Sequence, residues 1–272
     1  MNILITGACG GMGKATVSLL KEKGHTIYAI DKKIVNPIEG VIYYEVDITR
    51  SIELTNVFEK IKTQIQTIDV IIHFAGIYNL DSLVEISEDE WEKIFNINLF
   101  GVYRINKLFL PLLEKNSKII ITSSELAPLD PLPFTGLYAI TKAALEKYAY
   151  SLRMELNLLD IKVIIIRPGA VQTDLLDVST HSLDQFCENT QLYKCNAKRF
   201  KQIVNRVEAK KIEASKIAKI ALKIVEAKRP KYVYNINRNP MLRLLHILPK
   251  HWQVAILSLI HISEPTRRVV IS

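Results

Sequence analysis

A doubly wound α/β fold, with a seven-stranded, mostly parallel sheet and helices on both faces, is the class this 272-residue sequence predicts. Three observations carry the prediction. Short β-branched apolar runs alternate with longer helical patterns along most of the chain. Several of those runs are apolar almost throughout, as strands buried on two sides must be. A glycine-rich string stands at the first strand-to-helix junction, the context that gives such a string a structural meaning. Composition agrees: 49% hydrophobic and 24% charged residues, with 10 Gly and 10 Pro, supply a sizeable core. They also exclude collagen, extended disorder and a disulfide-knotted miniprotein.

The first strand, Asn2–Thr6, begins at once, without the apolar region and cleavage site of a signal peptide. The turn Thr6-Gly-Ala-Cys-Gly-Gly-Met-Gly13 follows it and opens a helix over 11–23. Gly7, Gly11 and Gly13, with Met12 between the last two, let the backbone approach a pyrophosphate closely. The helix N-terminus adds free N–H groups and partial positive charge. A P-loop is excluded, because Ala15 stands where Ser or Thr would hold magnesium and Ala8 replaces the first glycine. The GxGxxG string also fails, which leaves TGxxxGxG in a Rossmann-type dinucleotide-binding position. The second strand, Thr26–Ile30, ends at Asp31, 18 residues after Gly13. A carboxylate there can accept hydrogen bonds from ribose hydroxyls and repels a 2′-phosphate, so NAD is preferred and NADP is the alternative. Lys32 and Lys33 partly offset that preference. The third strand, Val41–Glu45, is followed by Asp47 and Ile48. Asp47 suits an adenine-edge contact or, equally by spacing, a turn cap on Thr49.

A helix over 51–66 leads to the fourth strand, Val70–Phe74, and then to Ala75-Gly76. The next helix, 88–115, carries Asn98 at a mid-helix position that propensity disfavours. Ser123-Ser124 closes the fifth strand, Ser117–Thr122, 14 residues (from Ser124) before Tyr138. Tyr138 and Lys142 open the helix 136–159 at an i, i+4 spacing, which puts phenol and ammonium on one face. A free phenol titrates near 10. The nearby ammonium is expected to lower that value and bring Tyr138 toward proton-transfer range. The sixth strand, Lys162–Arg167, runs into Pro168-Gly169. Residues 175–213 interrupt the alternation with polar, basic sequence beside the expected ligand crevice, where a substrate lid would sit. The helix 214–227 shows Ile217, Ile220, Ala221, Ile224 and Val225 at helical spacing, and Tyr232–Asn235 is the seventh strand.

These residues together resemble the classical short-chain dehydrogenase/reductase family, from Met1 to about Asn235. The resemblance rests on Thr6 to Gly13, Asp31, Asp47, Ala75-Gly76, Asn98, Ser124, Tyr138, Lys142, Pro168-Gly169 and Thr173. It implies a catalytic tetrad of Asn98, Ser124, Tyr138 and Lys142. Tyr138 would be the general acid/base, and Ser124 would steady the substrate oxygen. Lys142 would bind nicotinamide-ribose hydroxyls and depress the tyrosine pKa, while Asn98 positions a relay water. Pro168, Gly169 and Thr173 would border the nicotinamide. Two departures stand out. The family's Asn-Asn-Ala-Gly reads His73-Phe74-Ala75-Gly76 here, and the Ser-to-Tyr interval is one residue longer, within Ala127–Pro133. His73 reads as structural rather than as an acid/base.

The expected function is hydride transfer between NAD(P) and a carbonyl or secondary alcohol. Apolar segments at Leu126–Phe134 and Met241–Leu248 point to a lipophilic substrate such as a steroid, retinoid or fatty acyl derivative. A non-catalytic dinucleotide-binding sensor or scaffold is the alternative. An epimerase or dehydratase would usually bring a larger substrate domain. The net charge of +8 is spread, densest at 194–211 and 228–231, and lacks zinc-finger or aromatic-and-basic RNA spacing. No nucleic-acid partner or metal site is expected. Cys9, Cys187 and Cys195 are too few for a disulfide framework, which indicates a reducing, cytoplasmic setting. The family resemblance implies a homodimer or homotetramer, through the helices 88–115 and 136–159. The domain is expected to cover 1–256. Within it, 241–256 closes the pocket, packs on a partner subunit or touches a membrane surface. Residues 257–267 resemble a translated sequencing adapter, so 257–272 is expected to be a non-native tail.

Overall fold

A computed structural model of the chain describes the backbone of residues 1–207 and 211–259, and their side chains except at 174–181, 195, 198, 203–207 and 257–259. The Cys195 side chain, residues 208–210 of the expected lid and residues 260–272 of the expected tail lie outside what is described.

The sequence's buried runs become β1 (Asn2–Thr6), β2 (Thr26–Asp31), β3 (Ile42–Glu45), β4 (Ile68–His73), β5 (Leu113–Thr122) and β6 (Lys162–Pro168). Two-residue strands β7 (Val171–Gln172) and β8 (Ile212–Glu213) pair in a separate small sheet, and β9 (Val233–Ile236) completes the main one. The main sheet has seven strands in the order β3-β2-β1-β4-β5-β6-β9, and each neighbouring pair is parallel. Parallel pairing leaves both faces to be covered. Alternate residues of each strand accordingly enter two different cores. Ile3, Ile5, Val70, Ile72, Ile120 and Ile164 pack under α1 (Gly11–Glu22) and α8 (Ala214–Glu226). Leu4, Ile71, Ile119, Ile121, Val163 and Ile165 pack under α2 (Ser51–Gln64), α4 (Val102–Phe109) and α5 (Gly136–Leu156). The strand order changes direction between β1 and β4, which opens a crevice beyond their carboxyl ends.

Three expectations about elements need correction. The helix expected over 88–115 is divided into α3 (Glu88–Phe95), a π-helical segment at Asn96–Gly101, α4, and a 3₁₀ turn at Leu110–Leu112. Pro111 has no N–H to continue the ladder, so α4 stops just before it. Strand β5 therefore starts at Leu113, four residues before the expected Ser117, with a register shift opposite Ile68/Val70 and Asn116 in the left-handed region at φ 72°. The helix expected to reach 159 ends at Leu156 in a 3₁₀ turn closed by left-handed Asp160. Other boundaries move by a residue or two, the usual fraying of element ends.

The polar segment 175–213 is taken up largely by two helices, α6 (Asp174–Asn189) and α7 (Lys194–Val207). Their apolar residues Leu183, Phe186, Ala197 and Phe200 form a small core with Leu80. Phe134 joins it, its ring 4.4 Å from that of Phe186 and 5.0 Å from that of Phe200. Beyond β9, α9 (Pro240–Ile247) and α10 (Lys250–Leu259) occupy the C-terminal segment. Among the described residues no helix is long and apolar enough to cross a membrane.

Candidate active site

The glycine turn is built by steric exclusion. Gly7 has φ 68°, and a Cβ on it would lie 2.4 Å from the Ala75 nitrogen, so only glycine fits between β1 and the end of β4. At Gly11, the first residue of α1, a Cβ would lie 2.6 Å from Thr173 Cγ2, which seats Thr173 directly on the turn. The open result is a cavity of about 320 Å³ lined by Gly7, Gly11, Met12, Gly13, Asp31, Asp47, Ile48, Ala75, Gly76 and Thr173 among others. These residues fit a dinucleotide: a glycine cradle at a helix N-terminus, with an acidic group at its far end.

Asp31 receives the Cys9 N–H on Oδ2 at 2.8 Å, which fixes it against the turn. Asp47 takes the turn-capping alternative. Its Oδ1 accepts from the Thr49 N–H at 2.9 Å and the Thr49 hydroxyl at 2.7 Å. Its Oδ2 pairs with Lys32 at 2.9 Å. Burial works to raise the Asp47 pKa, but Lys32 and the Thr49 donors outweigh it and hold the carboxyl at about 2. Lys32, expected to soften the Asp31 field, is thus engaged elsewhere.

Beside that cavity a second one of about 250 Å³ shares Met12, Phe74, Gly76, Ile77 and Thr173 with it. Ser124, Tyr138, Lys142, Pro168 and Gly169 line it. Leu126, Leu132, Phe200 and Leu242 add apolar wall, the last two from α7 and α9. The sequence-expected site residues therefore meet in one crevice, with Asn98 just behind it.

Asn98 is fully buried in the π-helical segment. Its Oδ1 accepts from the Ile77 N–H at 2.8 Å, and its Nδ2 donates to the Ile77 carbonyl at 2.9 Å and Thr141 Oγ1 at 3.2 Å. The side chain ties the loop after β4 to α5. Its polar atoms are committed to protein partners, and the π-turn supplies the unusual placement that propensity flagged.

The electrostatics of the pair differ from expectation. Burial pushes the Tyr138 phenol up to about 12, against the lowering influence of the Ser124 hydroxyl. Lys142, expected to lower it, does not offset that burial. Its Nζ lies 5.7 Å from the Tyr138 ring centroid and donates to the Thr122 carbonyl at 3.1 Å. Burial also pushes Lys142 down to about 8, with Glu146 pulling the other way. Desolvation exceeds mutual support here because both groups are enclosed.

His73 is structural. Its Nε2 meets Asn106 Oδ1 at 2.8 Å, Asn106 Nδ2 donates to the Tyr148 hydroxyl at 3.1 Å, and burial holds the imidazole at about 4, so it is neutral. Two residues escaped the sequence reading. Tyr78 packs on Tyr138 in a tilted arrangement with ring centroids 4.8 Å apart, and Glu125 lines the apolar cavity while accepting the Asn239 N–H at 2.7 Å. Tyr78 follows Gly76 by two residues, and Glu125 follows Ser124 directly, so proximity to those motifs was the available signal.

Comparison with known proteins places this geometry. A family profile described as short chain dehydrogenase matches residues 1–184. A 3-ketodihydrosphingosine reductase of Bacteroides thetaiotaomicron is 30% identical over 251 residues, covering 92% of each chain. A solved short chain dehydrogenase family protein of Francisella tularensis superposes with TM-score 0.72 at 24% identity, over 86% of this chain and 96% of that one. A short chain dehydrogenase of Burkholderia cenocepacia, solved in complex with NADP, gives TM-score 0.71 at 21% identity over 94% and 96%. With its glycine turn and the Ser124, Tyr138 and Lys142 side chains gathered in one crevice, the chain belongs to the short-chain dehydrogenase family, as an NAD(P)-dependent oxidoreductase acting on a CH–OH/C=O centre.

Proposed function

We propose that the protein reduces a lipophilic ketone to a secondary alcohol, with NAD preferred over NADP and Tyr138 as the proton donor. The observation that carries this reading is the Tyr138 phenol, raised by burial to about 12, gathered with Ser124 and Lys142 in a cavity walled by Leu126, Leu132, Phe200 and Leu242. A phenol that holds its proton throughout the neutral range is set to give it to an oxygen that gains negative charge. When bound, the nicotinamide supplies the hydride. The Ser124 hydroxyl hydrogen-bonds the substrate oxygen. Tyr138 then passes its proton to that oxygen as the alkoxide develops, and the Lys142 ammonium stabilises the phenolate left behind. Asn98 acts by position, holding Ile77 and Thr141 behind the reacting groups.

The cofactor preference rests on Asp31, whose charge disfavours a 2′-phosphate, and on Lys32 being paired with Asp47. Residues 1–256 act as one domain, with α6–α7 as a lid over the ketone. The relative named for 3-ketodihydrosphingosine reduction supports a long-chain keto substrate. Exposed Tyr103, Tyr150 and Met154 on α4 and α5 support a homodimer or homotetramer. A cytoplasmic setting fits a chain with three cysteines and no disulfide framework in its sequence.

The test is Tyr138→Phe, read by absorbance of reduced cofactor with a panel of lipophilic ketones and by NADH titration of intrinsic fluorescence. Turnover should fall by roughly 10²–10⁴-fold with NADH binding unchanged. Retained turnover would remove Tyr138 from the reaction.

A further inference from the structure

The C-terminal helix pair has two unlike faces. Leu242 of α9 points into the apolar cavity, and Gln253 of α10 is buried, its Nε2 donating to the Leu248 carbonyl at 2.8 Å and to Asp130 Oδ2 at 3.1 Å. Asp130 also pairs with His246 and Lys250, so both helices are fastened to the loop before α5. The other face is apolar and open. Met241, Leu244 and Ile247 repeat every three residues along α9 at 57%, 65% and 77% exposure, and Trp252 and Ile256, one turn apart, are exposed on α10.

The segment that carries this patch contributes charge of one sign, and the acids that face it, Asp130 and Glu125, come from the loop before α5. From Ala227 to Ile256 the chain contains no Asp or Glu but carries Lys228, Arg229, Lys231, Arg238, Arg243 and Lys250. Lys250 is neutralised by Asp130. Arg238 and Arg243, at the base of α9 and on it, stand near enough to repel each other, with Glu125 and Glu146 partly offsetting Arg238. An apolar stripe flanked by cations is the pattern of a helix that lies in a membrane interface, with an aromatic such as Trp252 at headgroup level. A second copy of the chain fits less well. A symmetric contact through this face would set like charges against each other on a molecule that already bears +8.

We propose that the α9–α10 pair is a docking surface for an anionic lipid bilayer, seating Met241, Leu244, Ile247 and Trp252 among the acyl chains and headgroups and Arg238 and Arg243 on lipid phosphates. Docking would set the cavity wall at Leu242 within one helix diameter of the bilayer, a short path for an apolar ligand. The proposal does not depend on the reductase reading, since membrane binding is measured without turnover.

The experiment is co-sedimentation of the full chain with vesicles of phosphatidylcholine alone and of phosphatidylcholine with about one quarter phosphatidylglycerol. Partition onto the anionic vesicles should be roughly tenfold stronger or more, and should weaken with added salt. Leu244→Glu with Ile247→Glu should abolish sedimentation with both vesicle types. Arg238→Gln with Arg243→Gln keeps the apolar face and should lose only the preference for anionic lipid. Near-equal partition of the unaltered chain onto both vesicle types, or none onto either, overturns the proposal. So does a dimer that Leu244→Glu with Ile247→Glu converts to monomer while leaving vesicle binding as it was, because the patch would then be covered by a second copy.

Discussion

Replacing Lys142 by Met should stabilise the fold while disabling the site. The Lys142 side chain belongs to a residue only 5% exposed, and burial lowers its pKa from 10.5 to about 8. At about 1.4 kcal/mol per unit, the charged form costs the folded state roughly 3 kcal/mol. The folded value lies below the unfolded one, so this cost is complete below pH 8 and fades between about 8 and 10.5. Across that window the unfolded chain retains a proton that the folded chain has released, and stability rises with pH. Met matches the length without the charge and gives up one hydrogen bond to the Thr122 carbonyl, about 1–2 kcal/mol. The net gain is therefore about 1–2 kcal/mol near neutral pH, or roughly 2–8 °C in Tm for a chain of this size. Urea unfolding near pH 7 and near pH 10 reads it as a shift in midpoint at constant slope. A variant less stable than the parent near pH 7, or a gain equally large near pH 10, would refute the desolvation argument.

Other perturbations test other parts of the crevice. Asn98→Ala leaves the half-buried Ile77 N–H and carbonyl without their partner and the Thr141 hydroxyl with only the Tyr138 carbonyl, and should cost about 1–3 kcal/mol in chemical denaturation; a loss under about 0.5 kcal/mol would mean the tether is dispensable. Gly7→Ala forces a Cβ onto a φ of 68° and to 2.4 Å from the Ala75 nitrogen. Strain and overpacking together should cost roughly 2–5 kcal/mol and weaken NADH binding, with a near-neutral result arguing that the turn relaxes freely. Asp31→Ala should shrink the NADH-over-NADPH preference by about 10-fold in fluorescence titration, and an unchanged ratio would place the selectivity elsewhere.

The sheet was legible because its strands are apolar on both faces. Ile3, Leu4 and Ile5 alternate between two cores, yet all three are fully buried, so the run needs no polar alternation to read as strand. The gathering of Gly7, Ser124, Tyr138 and Lys142 was legible because each stands at a fixed offset from a strand end. What escaped depends on contacts across the chain. The phenol's raised pKa arises from enclosure by Tyr78 and the cluster it shares with Ile94 and Leu126, which no local spacing records. The two helices of 174–207 bury their apolar residues against Leu80 and Phe134, about fifty or more residues away in sequence, so their period looked weak when read alone. The π-helical turn at Asn98 left a trace only as an asparagine where a helix would not choose one.

The stretch from Glu125 to Phe134 starts directly after the Ser124 hydroxyl and is held at its middle and at its end. Asp130 fastens it to the last two helices, and Phe134, itself at a left-handed φ of 64°, plugs into the aromatic cluster of α6 and α7. One short strap therefore yokes opposite walls of the cavity. An outward swing of either wall would tug on the same ten residues, through a carboxylate at one anchor and a benzyl ring at the other.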